Sequence, residues 1–477
     1  MTQLCYNKCM NKKHFLDTVL ELNNITLTDL ASKNQYKFYI KEFAELMNHE
    51  NILVICDSDC DGLSSGRIWR EYRPNDTIVP LDRNNRNPYV IATLYPNKTI
   101  VCLDCGSSVD WTELSDGTIY VIDHHESQIT VVGVNYINPV MDFGETTYCT
   151  ATLLYSLFSS LLGENKTALQ YAAIAGVADM MPLLGDNRKI VIDGLTAMNG
   201  DDKCDIVQEL DAYDINDEVH IGFTIAPSIN APSRIGTPEL AFDAIVGADR
   251  ASIKKLKSAN SKRKTLVDKY YTEAKTIQRE KCWIYIIDAP NFAIHGLIAN
   301  KAASRYNTSV MCINGNGVSF RSRQNVDFDL FIENNKDILS GGGHKQAAGA
   351  SILGSQEELI ERFIAFCNSY PLEEKDEYDV LVDGDDIIKL RKYYQEYKPY
   401  GMGFRQPVLG AYLTVYQIGK DLKQKSVDSG YAEIRLKSDK YVYYCVNYAV
   451  NKEIEVGEQH FFHFEFINNR LNIKWIE

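Results

Sequence analysis

The stretch NILVICDSDCDG, Asn51 to Gly62, sets three carboxylates, Asp57, Asp59 and Asp61, at alternate positions. That many like charges in so few residues are costly unless a cation neutralises them, which points to a divalent-metal site. The pattern D-x-D-x-D-G also opens a calcium-binding loop. That loop needs a preceding helix and a bidentate Glu at its twelfth position. Ile68 stands at that position, and Ile52 to Ile55 reads as a strand. A purely structural use is also open: Asp61 or Ser64 capping the helix that follows.

Two further apolar runs end in the same kind of residue. Thr99 to Leu103 leads into Asp104-Cys105-Gly106-Ser107-Ser108, and Ile119 to Ile122 leads into Asp123-His124-His125. A single Asp after a strand is most often a helix cap. Three such ends carrying carboxylate or imidazole are what a metal site requires. Asp179 is a fourth candidate, set in the otherwise apolar stretch Ile174 to Leu184. A lone buried carboxylate is expensive unless it is paired or coordinated, with a buried helix cap as the bland alternative. Carboxylate and imidazole together suit Mn²⁺ or Mg²⁺, and no thiolate is needed.

The elements that must position these groups follow from periodicity. The apolar runs at Ile52–Ile55, Thr99–Leu103 and Ile119–Ile122, separated by helical patterns, predict a parallel sheet. In such sheets ligands bind beyond the carboxyl ends of the strands. Residues 1–50 read as mostly helical, Ile78-Val79 as a short strand, and Thr147–Leu162 and Asn165–Ala178 as helices. Glu239 to about Gln278 reads as one long helix. Between Arg250 and Arg279 it carries ten Lys or Arg against two acidic residues, either a basic track for a polyanion or a solvated face. Cys282 to Tyr370 reads as a second α/β unit. Its run Gly341-Gly342-Gly343-His344 would let backbone N–H groups approach an anion, with a helix beginning there; the alternative is a plain tight turn. From Asp376 onward, short strand-like runs predict a small β-domain, a type of platform on which single strands can stack.

A chain of 477 residues has room for about two to four domains, and 45% hydrophobic with 24% charged residues is an ordinary globular composition. The N-terminus has no apolar signal-peptide core, and no apolar run approaches a membrane span, so no membrane association is expected. The 12 cysteines are scattered, with Cys102 and Cys105 forming one CxxC without a partner pair, which fits reduced thiols in an intracellular, cytoplasmic protein. The net charge of −14 argues mildly against nucleic acid, but a nuclease needs only a local basic track.

DSDCDG, LDCGSS, IDHHES and GVADMMPLLGDNR occur in this order, followed by GGGHKQAAG at 341–349. They resemble the motifs of the DHH phosphoesterase superfamily and of its DHH-associated domain. The stretches PSINAPSRIG at 227–236, ANSKRK at 259–264 and PYGMG at 399–403 resemble the RecJ single-strand-specific exonucleases within that superfamily. The resemblance implies an α/β fold with four parts: a parallel-sheet DHH domain at 1–237, connecting helices at 238–281, an α/β DHH-associated substrate-binding domain at 282–372, and an OB-like β-barrel domain at 373–477. It implies two ions, Mn²⁺ or Mg²⁺, on Asp57, Asp59, Asp61, Asp104, His124 and Asp179, with Asp104 bridging. Asp123 would orient His124, and His125 would contact the phosphate or assist proton transfer. Asn230, Arg234, Ser319, Arg321, Gly342, Gly343 and His344 would bind the substrate, with the two lobes forming a cleft. The implied reaction is 5′→3′ hydrolysis of single-stranded DNA to nucleoside 5′-monophosphates in repair or recombination, with a single-strand-binding protein as a candidate partner. Two other readings stand beside it: a phosphodiesterase for short oligonucleotides or cyclic dinucleotides, and a non-catalytic replication scaffold related to RecJ. Two positions depart from the family pattern. Ile55 stands where some members have a metal-binding His, and Phe404 where an Asn usually follows the PYGMG stretch.

Overall fold

The computed structural model describes residues 11–81, 87–114, 118–127, 129–144, 147–210, 217–290, 292–372, 378–418, 432–447, 454–467 and 470–477. The chain divides into two compact units, residues 1–226 with 376–477, and residues 227–375.

In the first unit, β1 (Ile52–Cys56), β2 (Thr77–Pro80), β3 (Thr99–Leu103), β4 (Ile119–Ile122) and β5 (Val134–Ile137) form a parallel sheet in the order β2-β1-β3-β4-β5. The central strands β1, β3 and β4 are buried along their whole length. Helices cover both faces of a sheet of this kind, which is why the strands read as unbroken apolar runs rather than alternating ones. The helices Thr150–Leu162 and Lys166–Ala178 fall where periodicity placed them, and the acidic run Asp57–Asp61 leads directly into the helix Cys60–Tyr72. A strand therefore precedes the acidic run, and the calcium-loop reading is excluded.

The second unit holds a mixed sheet of β6 (Lys275–Gln278), β7 (Cys282–Ile287), β8 (Ser309–Asn314), β9 (Gly317–Ser322), β10 (Leu339–His344) and β11 (Ala347–Ile352), ordered β10-β11-β9-β8-β7-β6. Two sequence expectations are corrected here. The long helix is two helices, Pro238–Ile245 and Arg250–Glu273, and Lys275–Gln278 is already strand. The break follows from Ala248 at φ 54 and from Asp249, whose side chain caps the second helix by accepting from Ala251 and Ser252 N–H. The glycine run 341–343 starts no helix; it lies in β10, paired antiparallel with β11. A Cβ on Gly341 would stand 2.3 Å from Gly349 O, so glycine there permits close approach of two strands.

The remainder of the first unit contains the helix Ile387–Tyr397 and the strands β12 (Val380–Leu381), β13 (Leu409–Ile418), β14 (Ala432–Lys437), β15 (Val442–Asn447), β16 (Gln459–Ile467) and β17 (Arg470–Ile476). The order β13-β14-β15-β17-β16 closes on itself through a β13–β16 pairing, making the five-stranded barrel expected of an OB-like domain. Among the described residues no helix is long and apolar enough to cross a membrane.

Candidate metal centre

The parallel ladder continues one residue past the strands. Asp57 N–H donates to Leu103 O at 3.1 Å, Asp104 N–H to Ile122 O at 3.0 Å, and Asp123 N–H to Ile137 O at 3.2 Å. These three bonds hold Asp57, Asp104 and Asp123 level with one another along one edge of the sheet. The strand order reverses direction at β1 and β3, and the crevice of a doubly wound sheet opens at such a point. Asp57 and Asp104 end the two strands that flank it. Asp104 sits at φ 62, in the left-handed region.

The helix Cys60–Tyr72 brings Asp59 and Asp61. Asp59, rather than Asp61 or Ser64, is the cap: its Oδ1 accepts from Asp61 N–H at 3.0 Å and Gly62 N–H at 3.2 Å. Gly62 is needed because a Cβ there would lie 2.5 Å from Asp57 O. Asp61 is freed to reach the start of another helix. Its two oxygens accept Thr150 N–H and Ala151 N–H, both at 2.9 Å, and Thr150 Oγ1 donates to Asp104 Oδ1 at 3.2 Å. A helix N-terminus favours a nearby anion, so this contact holds a buried carboxylate in place. Thr150 was not singled out from sequence. Its segment reads as a helix, but only the fold aims that helix's N-terminus at Asp61.

His124 Nε2 converges on three carboxylates: Asp179 Oδ2 at 3.3 Å, Asp104 Oδ1 at 3.4 Å and Asp61 Oδ2 at 3.8 Å. Asp123 was expected to orient the His124 ring. Its Oδ1 instead accepts from His125 Nδ1 at 2.7 Å and reaches His124 through that residue's backbone N–H at 2.7 Å. The tight turn after β4 folds the two backbone N–H groups and the His125 ring onto one carboxylate oxygen. Asp123 Oδ2 accepts Ser107 N–H from the neighbouring strand end. Asp179 caps the C-terminus of the helix Lys166–Ala178, and its side chain is 33% exposed rather than fully buried.

Mutual proximity marks these groups electrostatically. Burial, followed by the Asp61 and Asp59 charges, holds Asp104 well above the ordinary carboxylate range. Burial likewise raises Asp61, and with the Asp61 and Asp59 charges it pushes Asp179 up to about 8. Burial lowers His124. The bond to Asp123 lifts His125 to about 9, and, against the opposing effect of burial, that same bond keeps Asp123 below the usual range. Oxygen and nitrogen donors gather within 4.8 Å of one another in three sets: Asp57 with Asp59 and Asp104, Asp61 with His124 and Asp179, and Asp104 with His124 and His125. The first two sets share no residue, and Asp104 and His124 link them to the third. Carboxylates whose pKa values are raised by crowding are groups short of positive charge, and this donor set fits Mn²⁺ or Mg²⁺.

The second unit gathers the predicted substrate-binding residues by register. Gly342, Gly349 and Ser319 lie in one cross-strand row of β10, β11 and β9, and His344, Ala347 and Arg321 in the next aligned row on the same face. Glycine and alanine in the middle strand leave that face clear between Ser319 and Arg321 on one side and His344 on the other. Arg321 Nη1 donates to Phe320 O at 2.7 Å and Ala348 O at 3.1 Å, and burial lowers its pKa. Gly296, at the start of the helix His295–Tyr306, has room for no more than a tight Cβ, 3.2 Å from Ser319 Oγ and 3.4 Å from Arg321 Nη2. Arg234 ends the helix Ala226–Arg234, which also carries Asn230, and exchanges bonds with Ala293 beside that helix start. Gly343, at φ 158, is extended and packs on the Ala348 backbone.

Residues 51–181 match the model of the DHH family, N-terminal domain. Two curated proteins named single-stranded-DNA-specific exonuclease RecJ are similar to this chain. The one from Thermus thermophilus is 26% identical over 331 residues, 64% of this chain and 49% of the relative. The one from Bacillus subtilis is 26% identical over 259 residues, 49% of this chain and 33% of the relative. The chain thus spans about half or less of the curated relatives it matches. The fold matches crystal structures of RecJ from Thermus thermophilus. With Mn²⁺ the TM-score is 0.77 at 18% identity, covering 99% of this chain and 79% of that one; with Mg²⁺ it is 0.71 at 17% identity, covering 99% and 78%. The strand-end carboxylates and the paired histidines thus fall within residues 51–181, the stretch that matches the DHH-family model, in a chain whose fold is like that of RecJ.

Proposed function

We propose that this protein is a metal-dependent exonuclease that hydrolyses single-stranded DNA 5′→3′ to nucleoside 5′-monophosphates. The observation that carries the reading is the meeting of two non-overlapping donor sets, Asp57/Asp59/Asp104 and Asp61/His124/Asp179, at the switch point of the sheet. The similarity to RecJ proteins, and to RecJ structures holding Mn²⁺ or Mg²⁺, supports the substrate class and the metals.

When bound, two ions at these sets would supply Lewis-acid stabilisation of phosphodiester oxygens and an activated water. The chain's own residues do the rest. Asp104 and His124 lie at the junction of the donor sets and fix their spacing. Thr150 and the N-terminus of its helix hold Asp61 and Asp104 in register. Asp123 holds His125 in one orientation and, by raising its pKa to about 9, keeps it protonated at neutral pH. His125 is 58% exposed, so it can donate to a phosphate oxygen or to the leaving oxygen. Arg321, His344, Ser319 and Arg234, with the glycine backbone at 342–343, form a polar face suited to substrate phosphates, where charge-assisted bonds are strong. Asn230 belongs to the same proposed group.

The test is hydrolysis with Mn²⁺ of a long 5′-phosphorylated single strand labelled at either end, beside a duplex and a dinucleotide. Loss of the single strand from its 5′ end, with duplex spared, is the expected result. Cleavage of the dinucleotide alone would move the protein to small substrates, and no cleavage with metal bound would make it a scaffold.

A further inference from the structure

Asp179 differs from the other candidate ligands in how it is held. Asp57, Asp104 and Asp123 are set by the sheet ladder, and Asp59 and Asp61 accept backbone N–H groups at helix starts. Asp179 stands at a helix C-terminus, where the macrodipole disfavours an anion. Its backbone is held on one side by that helix, through Asp179 N–H to Ala175 O at 2.9 Å, and on the other by the loop that follows, Met180 to Leu184.

That loop is pinned from two sides. Met181 N–H donates to Gly176 O at 3.2 Å, and Asn187 Nδ2 donates to Pro182 O at 2.9 Å. Asn187 Oδ1 fills the space where a Cβ on Gly176 would stand, 2.3 Å away. The second side is the segment that precedes the barrel. Leu183 N–H donates to Met402 O at 2.8 Å. A Cβ on Gly401 would come within 2.8 Å of Leu183 Cδ1, and Gly403, at φ 67, would place one 3.2 Å from Pro182 Cβ.

Arg188 locks the two together. Buried at 8% exposure, it donates from Nη1 to Pro399 O at 2.8 Å and from Nη2 to Tyr397 O at 2.6 Å. Its guanidinium lies 4.2 Å from the centre of the Phe404 ring. Phe404 stacks on Tyr400 at 5.4 Å and Tyr400 on Tyr394 at 4.8 Å, both nearly parallel. A planar fork bound to successive carbonyls and a ring face fixes one register as an ammonium or an apolar side chain would not. A join that served stability alone could be apolar at lower desolvation cost.

We propose that the segment 397–404, acting through Arg188 and Phe404, is a positioning element for Asp179 as a metal ligand. The inference rests on the metal-centre reading. It gives Phe404 a definite task as the platform under Arg188.

The experiment is Mn²⁺ titration of the full chain, free ion followed by electron paramagnetic resonance, with metal-free melting temperatures measured alongside. The wild-type chain is expected to bind two ions. Arg188→Met and Phe404→Leu should each weaken one of the two by about 10- to 100-fold and leave the other nearly unchanged. Asp179→Asn should weaken that same ion, and adding Phe404→Leu to Asp179→Asn should cost nothing further. Phe404→Tyr, which keeps the ring, should retain wild-type affinity. Should Arg188→Met not fold, Phe404→Leu carries the test, since it keeps an apolar side chain. Lowered melting temperatures with both Mn²⁺ affinities unchanged, or losses that multiply in the double variant, would overturn the positioning role. A wild-type chain that binds no Mn²⁺ would overturn the metal-centre reading beneath it.

Discussion

Asp123 Oδ1 and His125 Nδ1 are 2.7 Å apart, and the same oxygen also accepts the backbone N–H of His124 and of His125. One carboxylate thus organises the whole turn after β4 and sets the charge of the more exposed of the two imidazoles. Asp123→Asn keeps the shape and removes the charge. In the metal-free protein His125 should then titrate well below its present value of about 9, toward the ordinary 6.5. Imidazole NMR shifts followed against pH would read this directly. An unchanged titration would mean that Asp123 does not set the charge of His125.

Asp104 belongs to two of the three donor sets, and His124 to two as well. Asp104→Asn should therefore disturb both ions, with a loss of hydrolysis of about 10³-fold, the scale of several kcal/mol of charge stabilisation. Melting temperature should stay near or above wild type in the absence of metal, since a crowded, costly carboxylate has been removed. Rates on labelled single strands and metal-free melting curves check the two halves separately.

Metal binding should release protons. In the ion-free protein Asp179 is pushed from its ordinary 3.8 up to about 8, and Asp61 and Asp104 are raised too. A bound cation needs the carboxylates ionised. Mn²⁺ affinity should therefore climb as pH rises toward about 8, and calorimetry in buffers of different ionisation heat should show proton release near pH 7. The sign for stability is the opposite. Between about 4 and about 8 the folded, metal-free chain holds protons that the unfolded chain has given up, so metal-free stability falls as pH rises through that window. Added Mn²⁺ should remove most of that fall.

Gly62→Ala tests the close approach of the helix Cys60–Tyr72 to the end of β1. The new methyl would meet Asp57 O at 2.5 Å, and the neighbouring atoms are backbone that cannot rotate away. A destabilisation of about 1–3 kcal/mol is expected, as for overpacking. Mn²⁺ affinity should fall as well, because Asp57, Asp59 and Asp61 shift with the helix. Chemical denaturation and metal titration of the same variant measure both.

Much of this was legible in the chain itself. A strand buried on both faces must be apolar throughout, so β1, β3 and β4 stand out as unbroken runs, and the polar residue after each marks its end. That places Asp57, Asp104 and Asp123 before any contact is known, and the DHH and GGGH signatures point to the remaining candidates. What depends on contact between distant segments was not legible. The antiparallel pairing that keeps Gly341–Gly343 out of a helix needs β11. The aim of Thr150 at Asp61, the choice of His125 as the partner of Asp123, and the grip of Arg188 on residues 397–399 join positions that are remote in sequence or ambiguous between neighbours. Local patterning determines which residues form each element, because periodicity reports burial. Only packing decides which donor meets which acceptor, because that depends on where the ends of separate elements come together in space.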